Sequence, residues 1–535
     1  MHRSFLLLIS TFSIFYPPGE GNYSKIVYPG ENGQLVYAPD EQGNVILDFS
    51  HCGYLGGGVK LPEVDVKVTL APGDGDDGAR LQAAIDEVAR LPIRDNGFRG
   101  TVLLKKGRYD ISDSLHISES GIVLRGEGQD TSGTILYATG TTQRSLINIA
   151  GKQNRVEVAG TEGNIIDDYV PVGARSFHVE MKDHAYRVGD QVIVRRIGNA
   201  GWIHAIGMDR ITPRPSDPSR TRQWEPFDLD YDRVITGIEG NYITVDAPIA
   251  CAIEKRWGGG KLIKYTDTER IRQVGIENIR GVSSFDKSKL DYEDGERYYS
   301  DEDHCETFIL IENAVNVWVR NVTALHFIDN CVEIQKGAKW VTVQDCSNLD
   351  MVSKIDGGRR GAFQINGQLC LVQRCYAETG RHDFSVSSRV CGPNVFLHGL
   401  AIKSYSNSEA HHRWSTGGLF DNVHANLRVE DRQYLGTGHG WAGANYVLWN
   451  CEGTLVCQKP PTAQNYAIGH VGPEAEPNFH GKEKGHWESH GQHVTPESLY
   501  LKQLEDRLGK RAVEEVTTTE QRNGTIIRLL RETKW

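Results

Sequence analysis

Val317-Trp-Val-Arg-Asn321 opens a series of six short segments that share a pattern without sharing their letters. The others read Val341-Thr-Val-Gln-Asp345, Cys370-Leu-Val-Gln-Arg374, Val395-Phe-Leu-His-Gly399, Gly418-Leu-Phe-Asp-Asn422 and Tyr446-Val-Leu-Trp-Asn450. Their last residues are 24, 29, 25, 23 and 28 positions apart. Short apolar strands at a nearly constant spacing, each ending at a polar turn, are typical of stacked coils. The step suits one turn of a parallel β-helix, with loops absorbing the excess.

The residue that follows each segment supports the same register. These residues are Val322, Cys346, Cys375, Leu400, Val423 and Cys451, and we expect them to stack as one inward ladder. A free cysteine packs as a small hydrophobic side chain, so we interpret the thiols as core. An exported chain with ten cysteines also permits disulfides, with Cys451 and Cys457 closing a small loop or, less well placed, Cys370 with Cys375. No CxxC pair is present, which disfavours a thiolate zinc site.

The composition and the N-terminal segment limit the functions that this protein can have. The formal net charge of −11 argues against nucleic acid as a partner. Residues 1–22 are predicted to be a signal peptide, because His2 and Arg3 precede an apolar run that is too short to span a bilayer. We therefore expect a secreted or periplasmic protein with no membrane partner, and a monomer.

The region before the repeat begins with an amphipathic helix. Leu81, Ala84, Ile85 and Val88 lie at i, i+3, i+4 and i+7, and Gly100-Thr-Val, Gly107-Arg-Tyr109 and Val123-Leu-Arg-Gly-Glu-Gly128 follow. This order resembles the start of the pectate-lyase-like superfamily of right-handed parallel β-helices, over roughly residues 60–150 and the repeats after 266. The resemblance implies that the helix covers the unpaired edge of the first coil. It specifies the reaction poorly, because lyases, hydrolases and non-enzymatic proteins share the coil.

The sequence thus predicts an all-β fold: a right-handed parallel β-helix with an N-terminal capping helix, an inserted β-subdomain and a C-terminal helical tail. After the signal peptide, residues 23–155 hold N-terminal strands, the cap helix and first coils. The inserted β-subdomain spans 156–265, and coils carrying the candidate site span 266–480. Residues 481–535 form the tail, in which a helix over 496–507 turns Leu501, Leu504 and Leu508 inward and stops at Gly509.

Four loops between coils carry dense arginine and histidine. They read Gly357-Gly-Arg-Arg-Gly361, Gly380-Arg-His-Asp-Phe384, Glu409-Ala-His-His-Arg-Trp414 and Gly436-Thr-Gly-His-Gly-Trp441. Each precedes a strand that leads into the ladder, and equivalent positions on successive coils lie about 4.8 Å apart. We therefore expect one stripe made of Arg359, Arg360, Arg381, His382, Asp383, His411, His412, Arg413 and His439. The alternative is structural: these side chains bond loop carbonyls, and Asp383 pairs with Arg381.

The stripe predicts β-elimination in an acidic polysaccharide. Arginine or a metal neutralises the uronate carboxylate, and a histidine removes the adjacent proton. The predicted catalytic residues are His382 or His412 as base, Arg381 and Arg413 on the carboxylate, Asp383 orienting a histidine and His439 at the leaving oxygen. The predicted substrate-binding residues are Arg359, Arg360, His411, Trp414, Trp441 and Trp202. The lyases that the chain resembles often use lysine or arginine as base with calcium, and a histidine-rich stripe departs from that pattern.

Two other functions stay open, and so does the metal. Glycoside hydrolysis needs two carboxylates, and the available acids are Asp345, Asp350, Asp356, Asp383 and Glu409; Gly438-His-Gly440 matches hydrolases of the resembling fold. A non-catalytic glycan-binding coil is the third reading. Acidic residues over 286–306 could bind Ca²⁺, but their spacing matches no defined calcium loop, so a solvated turn is favoured and Ca²⁺ stays open as a cofactor.

Overall fold

The computed structural model describes residues 21–180 and 186–533. The predicted signal peptide lies outside these ranges except for its last two positions. The core of the molecule is a parallel β-helix with three sheets. The first sheet contains Val66–Leu70, Gly100–Leu104, Ile122–Arg125, Ile271–Ser283, Ala314–Leu325, Lys339–Gln344, Leu371–Gln373, Cys391–Leu397, Ser415–Asp421, Gly443–Ala444, Val447–Trp449, Tyr466–Ile468 and His486–Glu488.

The second and third sheets form the other sides of the coil. The second contains Gly107–Ile111, Thr134–Ala138, Ser347–Leu349, Tyr376–Glu378 and Leu400–Ile402, together with the distal halves of Ile271–Ser283 and Ala314–Leu325. The third contains Leu115–Ile117, Ser145–Ala150, Thr307–Glu312, Val332–Ile334, Gly361–Ile365, His382–Val386, Ser408–Ala410, Leu427–Val429 and Leu455–Cys457. The third sheet carries the candidate site.

The six segments read from the sequence are neighbours in the first sheet. Val317 pairs with Val341, and Leu371 with Val395, in parallel register. Leu419 continues the row to Val447. Each coil therefore buries its apolar residues against the next, and the predicted β-helix is confirmed.

A polar residue makes the turn in each coil: the last residue of five segments, and in the fourth segment His398, the last but one. Its φ is positive in all six coils: Asn321 53°, Asp345 57°, Arg374 51°, His398 52°, Asn422 52° and Asn450 50°. The predicted ladder is wrong at one step, because Tyr376 pairs with Leu400 and so places Gly399 opposite Cys375. A Cβ at Gly399 would lie 2.8 Å from the ring of Phe384, which explains the glycine. Leu400 packs outside the coil.

All ten cysteines lie in the described part of the chain, and all are free and buried. Their interpretation as core therefore holds. The predicted loop closed by Cys451 and Cys457, and the weaker pair of Cys370 with Cys375, do not form disulfides. Cys331, Cys346, Cys375 and Cys451 belong to the same apolar interior as the valines of the coils.

The helix at the start of the coil spans Gly78–Ala89. Leu81, Ala84, Ile85 and Val88 are all buried in the interior of the β-helix, as their spacing predicts. The carboxylate of Asp76 accepts the amide of Gly78 at 2.9 Å and so satisfies one free donor of the first turn. The helix covers the end of the coil and shields its apolar core.

Residues 155–267 add an antiparallel sheet beside the coils. Its strands are Arg155–Glu157, Gly163–Ile165, Ser176–His178, Gln191–Arg196, Leu229–Glu239, Tyr242–Val245 and Gly260–Asp267. Three two-stranded ribbons join Val27–Pro29 to Leu35–Tyr37, Tyr169–Val170 to Ile253–Glu254, and Leu290–Glu293 to Glu296–Tyr299. The inserted sheet shares a second apolar core with the coils, which fixes it against them.

Short helices complete the described chain. They are Ala200–Ala205, Leu435–Gly438, Leu499–Leu508, Lys510–Val516, Thr519–Arg522 and Ile526–Glu532, with 3-10 turns at Tyr54–Gly56, Pro218–Arg220 and Lys255–Trp257. In the tail, Leu504 is buried but Leu508 is 46% exposed, which corrects its predicted inward position. Leu499 and Tyr500 are buried instead. Within the described residues, no helix has the length and apolarity to cross a membrane.

Candidate functional site

The turns before the third sheet bring the predicted stripe together. Gly361 and His382 pair in parallel register at the starts of neighbouring strands. The amide of Arg381 donates to the carbonyl of Arg360 over 2.6 Å, and the ring of His411 lies 4.5 Å from that of His382. The stripe residues of successive coils thus lie on one side of the molecule.

Four imidazole rings and one carboxylate form a compact group, which we call the histidine cluster: His382, Glu409, His411, His412 and His439. The ring centroid of His411 lies 5.0 Å from that of His412 and 5.1 Å from that of His439. His412 and His439 are 4.8 Å apart. Sequence positions 57 residues apart therefore meet because three coils stack.

Glu409 lies at the centre of this cluster. Its Oε1 is 2.6 Å from Nδ1 of His411, 3.1 Å from Nδ1 of His382 and 2.6 Å from Nη1 of Arg432. Only 2% of Glu409 is exposed, so the guanidinium of Arg432 balances a carboxylate that water barely reaches. Neither the centrality of Glu409 nor Arg432 was anticipated from the loop motifs.

Burial keeps the histidine cluster neutral. Loss of hydration lowers the pKa of His382 to about 3 and that of His412 to about 4, and it lowers the pKa values of His411 and His439 well below 6.5. The positive charge of Arg432 adds to the lowering in each case. Neutral imidazoles can accept a proton or bind a metal.

Two of the predicted substrate-binding arginines are held by the protein itself. Arg360 is 2% exposed and donates to the carbonyls of Ser353, at 2.8 and 3.1 Å, and Thr379, at 3.1 Å. Its desolvation lowers its pKa to about 10. Arg359 pairs with Glu302 and with Asp356. The structural alternative is the better account of both residues.

Arg381 and Arg413 retain partial exposure. Arg381 donates to the carbonyl of Gly357, and Arg413 donates to the carbonyl and hydroxyl oxygens of Thr437 at 3.1 and 2.7 Å. Desolvation lowers the pKa of each guanidinium. Both still lie at the surface of the stripe, where an anion can reach them.

Asp383 does not orient a histidine. Its Oδ2 accepts the hydroxyl of Ser404 at 2.5 Å, and its Oδ1 has no hydrogen-bond partner among the described residues. Desolvation raises its pKa to about 6. Glu409 holds the histidines instead, so both the predicted role of Asp383 and its alternative pairing with Arg381 are corrected.

The predicted stacking tryptophans are buried between the inserted sheet and the coils. Trp202 and Trp414 are 0% exposed and meet edge to face at 5.1 Å, while Trp441 is 3% exposed. The guanidinium of Arg196 covers the ring of Trp202 at 3.9 Å. These rings dock the insert and offer no face to a sugar, which corrects their predicted role.

A second group of acids, the carboxylate cluster, was missed from the sequence: Glu306, Asp329 and Glu333. Glu306 and Asp329 precede neighbouring strands at equivalent positions, and the amide of Asp329 donates to the carbonyl of Glu306 at 2.8 Å. Glu333 lies on the strand after Asp329, between the buried residues Val332 and Ile334, and so faces outward. Glu306 and Asp329 are 23 residues apart, which matches the coil spacing, and this spacing is the sequence feature that indicates their adjacency.

Two members of the carboxylate cluster have pKa values raised to near neutral pH. Loss of hydration raises the pKa of Asp329 to about 7, and the charges of Glu333 and Glu306 add to the shift. The pKa of Glu333 also rises to about 7, through burial and then the charge of Glu306. Asp329 accepts the amide of Gly361 on one oxygen and the Asn330 side chain, at 2.8 Å, on the other.

Three guanidinium groups form a basic patch beyond the histidine cluster: Arg222, Arg389 and Arg413. Desolvation is the main cause that lowers the pKa values of Arg389 and Arg413. The charge of Arg413 lowers the pKa of Arg389 further, and the charge of Arg222 lowers the pKa of Arg413 further. Arg222 and Arg389 are exposed. None of the three arginines forms an ion pair with a carboxylate in the described ranges. An anionic ligand would relieve their repulsion.

The histidine cluster is also where the described residues could hold a metal. One ring nitrogen each of His382 and His411 and a carboxylate oxygen of Glu409 lie within 4.8 Å of one another. In the acidic stretch proposed for Ca²⁺, the ammonium of Lys289 instead binds Asp301, at 2.8 Å, and Asp303. The stretch is a paired turn at this point.

No protein-family model and no curated protein matches the chain. Similar solved structures include the tailspike of Acinetobacter baumannii bacteriophage AP22 in complex with a capsular saccharide, at 10% identity and a TM-score of 0.41 over 74% of this chain. The tailspike gp49 of Pseudomonas phage LKA1 has 15% identity and 0.41 over 74%. The tailspike of E. coli bacteriophage HK620 in complex with a pentasaccharide has 10% identity and 0.34 over 84%. The chain spans 55%, 56% and 61% of these three chains.

Proposed function

We propose that this protein hydrolyses glycosidic bonds in an acidic polysaccharide at the carboxylate cluster. The observation that carries the proposal is the convergence of Glu306, Asp329 and Glu333 from successive coils on one outward face. Hydrolysis of this kind requires a carboxylic acid that is protonated at neutral pH and a second carboxylate beside it. The pKa values of about 7 for Asp329 and Glu333 suit the first requirement.

The hydrogen bonds divide the roles within the cluster. Asp329 accepts donors on both of its oxygens, which favours it as the charged partner. Within the described ranges, Glu333 accepts a hydrogen bond only from the Gln335 side chain, through Oε1, which leaves Oε2 to carry a proton. Glu333 then protonates the glycosidic oxygen, and Asp329 or Glu306 activates water or attacks the sugar carbon.

Arginine supports the choice of an acidic polymer. The charge of Arg381 acts on both Asp329 and Glu409, so this guanidinium is within electrostatic reach of both clusters. The basic patch lies beyond, at Arg413. A chain of uronate or sulfated sugars laid along the stripe would pair with these groups in turn. The resemblance of the coil to the pectate-lyase-like superfamily supports the same substrate class.

The test uses two isosteric variants and a matched control. We expect Glu333→Gln and Asp329→Asn to lower the release of reducing ends from acidic polysaccharides by at least about 100-fold. Glu378→Gln changes the same group on the second sheet, away from the stripe, and should leave the rate unchanged. Equal rates in all three variants would refute the assignment, and binding without any cleavage would indicate a glycan-binding coil.

Elimination remains a second candidate, favoured by the neutral imidazoles of His382 and His412. A neutral histidine is the form that can remove the proton next to a uronate carboxylate. The protein partners of Arg360 and Arg359 leave that carboxylate fewer counter-charges than the loop motifs predict. Unsaturated products that absorb in the ultraviolet, lost in His382→Ala and retained in Glu333→Gln, would identify this reaction in place of hydrolysis.

A further inference from the structure

The histidine cluster has the donor set of a transition-metal site. Nδ1 of His382, Oε1 of Glu409 and Nδ1 of His411 converge, with distances of 3.1 and 2.6 Å from the carboxylate oxygen to the two nitrogens. Ligand atoms about 2.0–2.1 Å from a tetrahedral ion lie roughly 3.3 Å apart, so small rotations of the side chains would complete the geometry. We propose that His382, Glu409 and His411 bind a divalent transition metal, with Zn²⁺ as the representative ion.

The chemistry of the ligands selects the class of metal. Imidazole nitrogen suits zinc, copper, nickel and iron, whereas calcium and magnesium require oxygen ligands. Two nitrogens and one carboxylate oxygen also leave a coordination position for water or substrate. This site is therefore separate from the acidic turn, and it does not depend on the proposed hydrolysis at the carboxylate cluster.

The neighbouring histidines supply further nitrogen donors. Nδ1 of His412 and Nδ1 of His439 are buried and have no hydrogen-bond partner among the described residues. Both rings lie within 5.1 Å of His411, centroid to centroid. A buried nitrogen without a partner costs about 1–3 kcal/mol, and an ion or its bound water would satisfy it. Nδ1 of His382 also donates to the carbonyl of Asn407 at 3.0 Å; this hydrogen bond is lost when a metal takes Nδ1 and the ring carries its proton on Nε2.

A metal ion that enters the site must displace the guanidinium of Arg432 from Glu409 and His411. Its Nη1 lies 2.6 Å from Oε1 of Glu409 and 2.9 Å from Nδ1 of His411, so it uses the same lone pairs that a metal would take. The guanidinium must move away for the ion to enter. Because a positive charge at this place also repels a cation, removing it should strengthen metal binding.

The experiment measures Zn²⁺ binding to the full chain by calorimetry after chelation and dialysis. We expect one ion per chain, about tenfold or more weaker binding in His411→Ala and Glu409→Gln, and about tenfold tighter binding in Arg432→Met. His424→Ala is the matched control, because Nδ1 of His424 lies 3.4 Å from Glu452 in another histidine–glutamate pair. That variant should bind as the wild type does.

Cobalt gives a readout that needs no variant. We expect Co²⁺ added to the wild-type chain to develop the intense visible absorption of a tetrahedral site, and Zn²⁺ to abolish it. The pale spectrum of hydrated cobalt would overturn the proposal. So would failure of the wild type to bind Zn²⁺, an equal loss in His424→Ala and His411→Ala, or weaker binding in Arg432→Met.

Discussion

The amide of Asp329 donates to the carbonyl of Glu306 across 2.8 Å, so the two carboxylates occupy matching places on successive coils. Residues 23 positions apart in the chain thereby share one patch of surface with Glu333. Burial and the mutual repulsion of the acids raise the cost of ionising them, and this cost lowers the stability of the fold.

The carboxylate cluster should destabilise the fold as pH rises. The pKa of Glu333 is about 7 in the folded chain and 4.5 ordinarily, so between these values the folded state holds a proton that the unfolded state lacks. Raising the pH therefore lowers the free energy of unfolding. We expect Glu333→Gln to increase that free energy by about 2 kcal/mol at pH 8 and to change it little at pH 4, allowing for screening by water.

Chemical denaturation at both pH values tests this effect, with Glu378→Gln as its control. A variant that is more stable at pH 8 and also inactive would have the signature of a functional acid. Equal stability of Glu333→Gln and wild type at pH 8 would contradict the raised pKa.

The histidine cluster should have the opposite pH dependence. The pKa of His412 is about 4 in the folded chain against 6.5 ordinarily, so between these values the unfolded state binds a proton that the folded state excludes. Falling pH therefore lowers the free energy of unfolding. As the pH falls from 7 to 4, we expect the free energy of unfolding of His412→Gln to decrease by about 2 kcal/mol less than that of the wild type. Denaturation curves measure this, and the exposed residue His480, changed to Gln, should leave the profile as it is.

Trp414 should act through docking of the inserted sheet. Because its ring is buried against Trp202, Trp414→Ala leaves a cavity and should cost about 3–5 kcal/mol of stability. Saccharide affinity of the fraction that remains folded should not change, and Trp414→Phe should recover part of the stability. A selective loss of affinity in a fully stable Trp414→Ala protein would restore the stacking role.

Gly399 should resist any side chain. A Cβ there meets the ring of Phe384, so Gly399→Ala should lower the free energy of unfolding by about 1–3 kcal/mol. Gly358→Ala is the control, since nothing lies within 4 Å of the added carbon. Thermal unfolding of the two variants should separate them, and equal melting temperatures would show that Phe384 moves aside.

Much of the architecture was readable because it is periodic. The six segments share a spacing, and five of them end at a polar residue. The helix before them carries a 3.6-residue apolar face, and both patterns arise from local geometry. The predicted ladder fails at Leu400 because the fourth segment reaches its turn one residue early, at His398. Only the partner strand shows that His398, and not Gly399, makes the turn.

The candidate site divides in the same way. From the chain alone it follows that arginine and histidine loops on successive coils meet on one side, because stacking converts a constant spacing into adjacency. The tertiary structure decides which of those side chains remain available to a ligand. Arg360 donates to backbone carbonyls, Trp414 packs against the inserted sheet, and Glu409 contacts two histidines and Arg432. Burial and hydrogen bonding depend on what packs against a residue from elsewhere in the chain, and that information is not present in the spacing of the letters.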